Sequence, residues 1–345
     1  MSRCLQLASL GRGNVHPNPM VGSVIAHDGK IIGEGYHQIY GGPHAEVMAI
    51  NSVTNMEFLT GSTLYVNLEP CCHWGKTPPC TDLIIKSGIK KVVIGSLDKN
   101  PLVAGKGVEI LENTGVEVIS RVLEKDCLIL NESFFSVIGG GKDYVKFIVK
   151  WAESADGFMG KPEYANQKEK ELSNTLVKRW VHKIRSETDA ILVGTNTAMI
   201  DDPLLDNRHW MGKIPTAVIL DKALKIPSTA NLFKPERRVI IFNELKDNLD
   251  EKNVRFIKLD FNTDDKLFWK NIEEELIRNN IYSALLEGGS QTIQSFFRSG
   301  IGCEVIRIKT NKIWANGIKA PELDLPVIDR FYLGNDLVEM MRKGN

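Results

Sequence analysis

Two α/β domains in one chain, each a mostly parallel sheet covered by helices, are what this sequence predicts. Three observations carry that expectation. Strand-length apolar runs alternate with amphipathic helical runs along the whole chain. Its 345 residues exceed the roughly 150 of one typical core. A glycine run at 139–141 interrupts the alternation, with no Lys-Ser/Thr pair or helix start behind it, so it reads as a linker rather than a phosphate loop. The expected domains are therefore 1–139 and 140–345.

In the first domain a helix is expected around 4–9, then strands at 21–26 and 30–36 joined by a turn at Asp28-Gly29. Helical spacing over 44–52 puts Val47, Met48 and Ile50 on a buried face. Residues 63–68 form a short β-rich run, 81–87 a helix that stops at Gly88, and 91–95 (KVVIG) a buried strand. A helix at 108–113 and a strand at 116–119 follow. In the second domain strands are expected at 144–151, 189–193, 216–220, 238–242, 254–259, 283–286 and near the C-terminus. Helices are expected at 175–186 and 267–279, with an apolar one after 287–292.

Composition narrows the function classes. With 43 basic and 43 acidic side chains the net charge is zero, which argues against a dedicated nucleic-acid binder. No run approaches the ~20 apolar residues of a membrane span, and residues 1–14 lack the pattern of a signal peptide. Three of the six cysteines (Cys71, Cys72 and Cys80) crowd into ten residues, which reads as metal chemistry in a reducing, cytoplasmic compartment. Cys4, Cys127 and Cys303 read as buried small hydrophobes.

The metal reading rests on His44-Ala45-Glu46, then Pro70-Cys71 and Cys80. One imidazole and two thiolates leave a fourth position for water, the pattern of catalytic Zn²⁺. The signature H-x-E followed by P-C-x-x-C marks zinc deaminases; here eight residues separate the two cysteines. His44 and Cys80 each fall at an expected helix start, where the positive helix end favours thiolate. Two thiolates cancel the zinc charge, so a carboxylate must take the proton of water, and Glu46 is the candidate. A structural zinc with Cys72 or His73 as fourth ligand would leave Glu46 unexplained. Cys72 in place of Cys71 is the other open alternative.

The segments PNPMVG (17–22), GEGYH (33–37), GGPHAEV (41–47), LEPCCHWGKTPPC (68–80) and DKNPLVAGKG (98–107) together resemble one family, the bifunctional deaminase–reductase of riboflavin biosynthesis. The resemblance covers nearly the whole chain. It implies a cytidine-deaminase-like three-layer α/β/α domain followed by a dihydrofolate-reductase-like α/β domain, with Zn²⁺ and NADPH as cofactors. The implied reactions are deamination of 2,5-diamino-6-(5-phosphoribosylamino)pyrimidin-4-one and reduction of its ribosyl side chain to ribityl. For this substrate Asn18 could hydrogen-bond the base, while His37, His73, Lys76 and Thr77 offer donors for the phosphate. His37 and His73 taken singly also suit a core or surface role.

The second half lacks G-x-G-x-x-G, so a Rossmann site is not expected. Glu287-Gly288-Gly289-Ser290-Gln291-Thr292 instead lies between an expected strand and helix, where backbone N–H groups accept a pyrophosphate. By resemblance Arg185, Leu205, Arg208 and Glu287 contact the substrate; Ala152, Thr197, Asp201 and the Gly289 turn contact NADPH. Two arginines on one sugar phosphate make sense as guanidinium forks. Asp201-Asp202 alone reads as a solvated turn. Lys222 is a further candidate for the cofactor's 2′-phosphate. A homo-oligomer is the expected assembly.

The chain departs from the family at 169–172, where Glu169, Glu171 and Leu172 stand in place of a common serine and tryptophan, in a run that reads as solvated. That departure motivates the alternative of a pyrimidine deaminase with a degenerate C-terminal binding domain. The family usually extends several residues ahead of the helix around 4–9, which leaves an internal start at Met1 or a trimmed chain as readings.

Overall fold

The computed structural model describes residues 1–345 except 75–77, 100–103, 133, 136–143, 161–170, 235, 248 and 345. The chain divides into two compact units, Met1–Asp143 and Tyr144–Asn345. The glycine run 139–141 lies outside the described residues.

The first unit holds helices α1 (Ser2–Ser9), α2 (Ala45–Asn51), α3 (Cys80–Lys86), α4 (Lys106–Asn113) and α5 (Glu124–Leu130). Its strands are β1 (Gly22–His27), β2 (Lys30–Tyr36), β3 (Thr63–Leu68), β4 (Lys91–Ser96) and β5 (Glu117–Ile119), in sheet order β2-β1-β3-β4-β5. Asp28 and Gly29 both take positive φ in the β1–β2 turn, which fits a tight hairpin. That hairpin makes the sheet mixed: β1 is antiparallel to β2 and β3, while β3, β4 and β5 run parallel.

Alternate residues of each strand face opposite layers. Ile25, Leu64, Val66, Val92 and Ile94 pack with α2, α3 and α4. Val24 and Tyr65 pack with Cys4 and Leu7 of α1 on the other face. The result is a three-layer α/β/α sandwich. The buried face of α2 differs from expectation. Ala45, Glu46, Ala49 and Ile50 are buried, whereas Val47 and Met48 are only half-buried. Gly35 explains it, because a Cβ there would lie 2.4 Å from the Ala49 nitrogen, so the helix seats its small side on the strand.

The second unit has strands β6 (Lys146–Glu153), β7 (Phe158–Gly160), β8 (Ala190–Gly194), β9 (Thr216–Leu220), β10 (Val239–Asn243), β11 (Leu249–Glu251) and β12 (Val254–Lys258). They are followed by β13 (Ser283–Leu286), β14 (Cys303–Lys309), β15 (Ile318–Lys319), β16 (Val327–Leu333) and β17 (Asp336–Lys343). Its helices are α6 (Thr175–Ser186), α7 (Thr195–Asp201), α8 (Asp265–Arg278) and α9 (Ser290–Ser299). The ten-stranded sheet runs β11-β12-β10-β9-β8-β13-β6-β14-β17-β16, parallel from β12 to β14 and antiparallel at both ends. One face packs Phe147, Trp269 and Phe296 with α8 and α9, and the other packs Val177, Val181 and Ile184 of α6. Burial on both faces accounts for the uninterrupted apolar strands. Residues 195–201, left without an element in the sequence reading, form α7.

Glu287 follows β13, with its side chain only 9% exposed. Its carboxylate accepts a bidentate pair from Arg185 of α6, at 2.8 and 2.9 Å, and a third bond from Lys150 of β6 at 3.2 Å. Burial alone would raise its pKa, but the two cations outweigh that and hold it well below the usual carboxylate range. Glu287→Gln leaves Arg185 and Lys150 uncompensated, so at pH 7 it should destabilise this unit by about 3–5 kcal/mol. The folded pKa lies below the unfolded one, so the stabilisation is present above an unfolded value of about 4.3 and fades as pH falls. Denaturant unfolding at pH 7 and pH 3 should show the gap between wild type and variant shrink in acid.

Candidate active sites

In the first unit three chain segments deliver one side chain each. His44 is the extended N-cap of α2, Cys71 follows β3 on irregular backbone, and Cys80 opens α3 behind Pro79. His44 Nδ1 lies 3.3 Å from Cys80 Sγ and 3.5 Å from Cys71 Sγ, and all three atoms fall within 4.8 Å of one another. Tetrahedral zinc with ordinary Zn–S and Zn–N bonds separates its ligands by roughly 3.5–3.8 Å, so the donor set fits zinc. Hydrogen bonds from Cys80 and His44 push the Cys71 thiol down to about 4, while sharing a proton with Cys71 pushes Cys80 up.

Glu46, in the first turn of α2, is only 3% exposed. Burial and the neighbouring Cys71 raise its pKa to about 7. Asn18 is beside the cluster through His37, whose ring meets His44 edge-on at 5.7 Å. His37 Nδ1 donates to the Pro43 carbonyl, so its Nε2 accepts from Asn18 Nδ2, each at 2.9 Å. Burial lowers the His37 pKa and keeps the ring neutral. The phosphate-donor role anticipated for His37 does not fit this arrangement, because its single N–H is already spent; the ring orients Asn18. His73 is exposed. Lys76 and Thr77 lie outside the described residues.

Sequence reasoning missed several supports. Asn131 holds the Met20 backbone from both sides, and Asn67 bonds the Met20 carbonyl and the Gly22 N–H. Together they fix the segment that carries Asn18. Their partners are far away in the chain, so no local pattern could reveal them. Cys4, Cys127 and Cys303 are buried as expected.

In the second unit a cleft of 1130 Å³ opens at the carboxyl ends of β6, β8, β9 and β13. The insertion of β13 between β8 and β6 creates the crossover where ligands bind in parallel sheets. Arg185, Leu205 and Glu287 line it, and so do Ala152, Thr197 and Asp201. Gly289, Ser290, Gln291, Thr292 and Lys222 complete the set that the sequence placed there. Both α7 and α9 start on glycine caps, Gly194 and Gly289, with no side-chain cap hydrogen bond. Two helix starts without side-chain caps therefore offer backbone N–H groups to a pyrophosphate, which fits a dinucleotide.

Arg208 is the exception. It is half-exposed, pairs with Asp206 at 2.5 Å, and is not among the residues lining the cleft. The second cation beside Arg185 is Lys150, which the sequence reading overlooked. Asp202 is exposed at the end of α7, as a solvated turn should be, and its carboxylate and carbonyl hold Asn231. Leu172 is buried and lines the cleft with Ser173, so the segment expected to be solvated supplies an apolar wall. Glu169 lies outside the described residues.

Known proteins are similar to both units. Residues 1–96 match the cytidine and deoxycytidylate deaminase zinc-binding region, and residues 145–306 the RibD C-terminal domain. The riboflavin biosynthesis protein RibD of Aquifex aeolicus is 39% identical over 99% of this chain and 97% of its own length. That of Bacillus amyloliquefaciens is 37% identical over 87% and 80%. The crystal structure of a diaminohydroxyphosphoribosylaminopyrimidine deaminase/5-amino-6-(5-phosphoribosylamino)uracil reductase from Thermotoga maritima superposes with a TM-score of 0.86, at 35% identity, covering 100% of this chain and 97% of that one. Acinetobacter baumannii RibD gives a TM-score of 0.83 at 30% identity, covering 100% and 98%. The chain belongs to the RibD family of riboflavin biosynthesis proteins, as a bifunctional enzyme with a zinc-binding deaminase unit ahead of a reductase unit.

Proposed function

We propose that the first unit removes the exocyclic amine of the phosphoribosylated diaminopyrimidine, and that the second reduces the ribosyl side chain of the product to ribityl with NADPH. The observation that carries this reading is the presence, on one chain, of the His44–Cys71–Cys80 cluster with a buried Glu46 and of a cleft floored by two helix starts without side-chain caps. The Thermotoga maritima protein, matched over 97% of its length, is a deaminase/reductase.

His44, Cys71 and Cys80 are the proposed zinc ligands. When bound, the zinc supplies the Lewis acidity that readies a water for attack on the amine-bearing ring carbon. Glu46 does the proton work. With a pKa near neutrality it accepts a proton from the attacking water and passes it to the ring nitrogen, then takes the proton of the added hydroxyl and delivers it to the amine, which leaves as ammonia while the carbonyl forms. Asn18, fixed by His37, orients the base. His73, Lys76 and Thr77, in the loop between the cysteines, stay proposed phosphate contacts.

In the second unit NADPH supplies the hydride. We assign Ala152, Thr197, Asp201 and the turn from Gly289 to Thr292 to the cofactor, and Arg185, Leu205 and Glu287 to the substrate. Arg185 and Lys150 carry two positive charges against the one negative charge of Glu287, leaving a net positive charge for a sugar phosphate. Arg208 joins the substrate set only if a phosphate draws it from Asp206. The degenerate-module alternative is not favoured, because Leu172 and Ser173 still build the cleft wall. The deaminase domain is assigned to 1–139 and the reductase domain to 140–345. No disulfide joins the described cysteines, which accords with a cytoplasmic setting, and no described helix is long and apolar enough to cross a membrane. The outer strand β16, with Ile328 and Tyr332 exposed, supports a homo-oligomer.

The diaminopyrimidine nucleotide supplied with and without NADPH, with both products followed, tests the whole assignment. Glu46→Gln should retain zinc, lose about 10²- to 10⁴-fold in deamination, and reduce pre-deaminated substrate at the wild-type rate. Deamination at the wild-type rate would sink the proton-transfer role. Lys222 lines the cleft at the end of β9, where its Nζ meets Asn262 at 2.9 Å and Glu244 at 3.3 Å. As the 2′-phosphate partner, its change to Ala should raise the KM for NADPH about tenfold, worth about 1.4 kcal/mol, and leave that for NADH unchanged. Equal effects on both cofactors would remove Lys222 from that role.

A further inference from the structure

We infer that Glu69 is a positioning residue for the zinc site, acting as a clamp that holds the Cys71 segment in place. The inference rests on the ligand assignment above. His44 and Cys80 are each fixed by the start of a helix, whereas Cys71 sits on irregular backbone beyond the last ladder pair of β3, Leu68 with Ser96. Its own restraints include three bonds from α3: the Cys80 N–H to Cys71 Sγ at 3.4 Å, and the Thr81 N–H and Oγ1 to the Cys71 carbonyl at 3.2 and 3.4 Å. Two residues earlier, the Glu69 side chain is buried.

The Glu69 carboxylate spends both oxygens on backbone. Oε1 accepts from the Gly107 N–H at 2.9 Å and the Val108 N–H at 3.4 Å. Oε2 accepts from Asp98 at 3.1 Å and Gly105 at 3.0 Å. The Glu69 N–H donates to the Ser96 carbonyl at 2.9 Å. One side chain therefore ties the segment leaving β3 to the segment leaving β4 and to the first turn of α4. An ionised carboxylate is the group suited to this place, since four converging N–H dipoles need an acceptor-only partner. Gly107 is part of the same device. A Cβ there would lie 2.5 Å from the Pro70 carbonyl oxygen and 3.0 Å from Glu69 Oε1, so the close approach of α4 to Pro70-Cys71 requires glycine.

Outer-shell partners that orient a metal ligand typically contribute about 10- to 100-fold in metal affinity. The test is zinc competition against a chelator with the full-length protein, together with amide exchange. Glu69→Gln, which swaps one acceptor for an NH₂ facing N–H donors, should weaken zinc by about 10- to 100-fold. Gly107→Ala should act in the same direction, and the double variant should be less than additive because both changes break one contact. Exchange protection should fall at residues 105, 107 and 108. Excess zinc should restore deamination, and reductase turnover on pre-deaminated substrate should hold throughout. Wild-type zinc affinity in both variants would overturn the inference. So would a loss of protection across β3 and β4, which would mean that Glu69 supports the core and not the ligand. Cys71→Ser is the control; wild-type zinc affinity in that variant would overturn the ligand assignment and the inference with it.

Discussion

Cys71 and Cys80 sit close enough to share one proton, and the first unit is organised around making that proximity affordable. Two thiols, an imidazole and a buried carboxylate within one small volume repel or compete unless something orders them. The sheet does so by ending β3 at the site, and the helices by starting there. Each helix start lends positive potential to an anionic donor set. Glycines 33 and 35 let α2 sit close on β2, which fixes both His44 and Glu46 relative to the strands. His44, Cys71 and Cys80 would together hold zinc, which would tie the three segments to one another.

The second unit solves a related problem with fixed charges in place of a metal. Glu287 is largely removed from solvent at the crossover of a parallel sheet, and two cations from different elements keep it ionised there. Breaking that set leaves charge without a partner, which is far more costly than never having buried it. The same residues line the cleft, so what stabilises the unit also sets the charge that a phosphorylated substrate would meet. Thr292 lies against Gly194 and Gly288, where side chains would keep α9 from closing on β8.

Much of this was legible in the sequence where the determining residues are neighbours. Strand and helix periodicity, the Asp28-Gly29 turn, and H-A-E with its two cysteines are local patterns, and the structure has these elements and brings those side chains together. What was not legible depends on distant partners or on size. The Glu69 clamp joins residues 29 to 39 positions apart, and the Lys150–Glu287 contact spans 137. Val47 and Met48 read as the buried face of α2 because they are apolar, but a glycine-bearing strand selects Ala45 and Ala49 instead. His37 looked like a phosphate donor until its single N–H was seen to be spent on Pro43. Arg208 was paired with Arg185 by family resemblance, yet of the two only Arg185 lines the cleft.

The central claim is that one imidazole and two thiolates, from three separate segments, hold zinc with a fourth position open to water. X-ray absorption at the zinc edge of the full-length protein reads the ligand set directly. The account predicts two sulfur neighbours at about 2.3 Å and two lighter ones, one of them an imidazole, at about 2.0–2.1 Å. Three sulfurs, with Cys72 drawn in, or two imidazoles, with His73 closing the site, would contradict it.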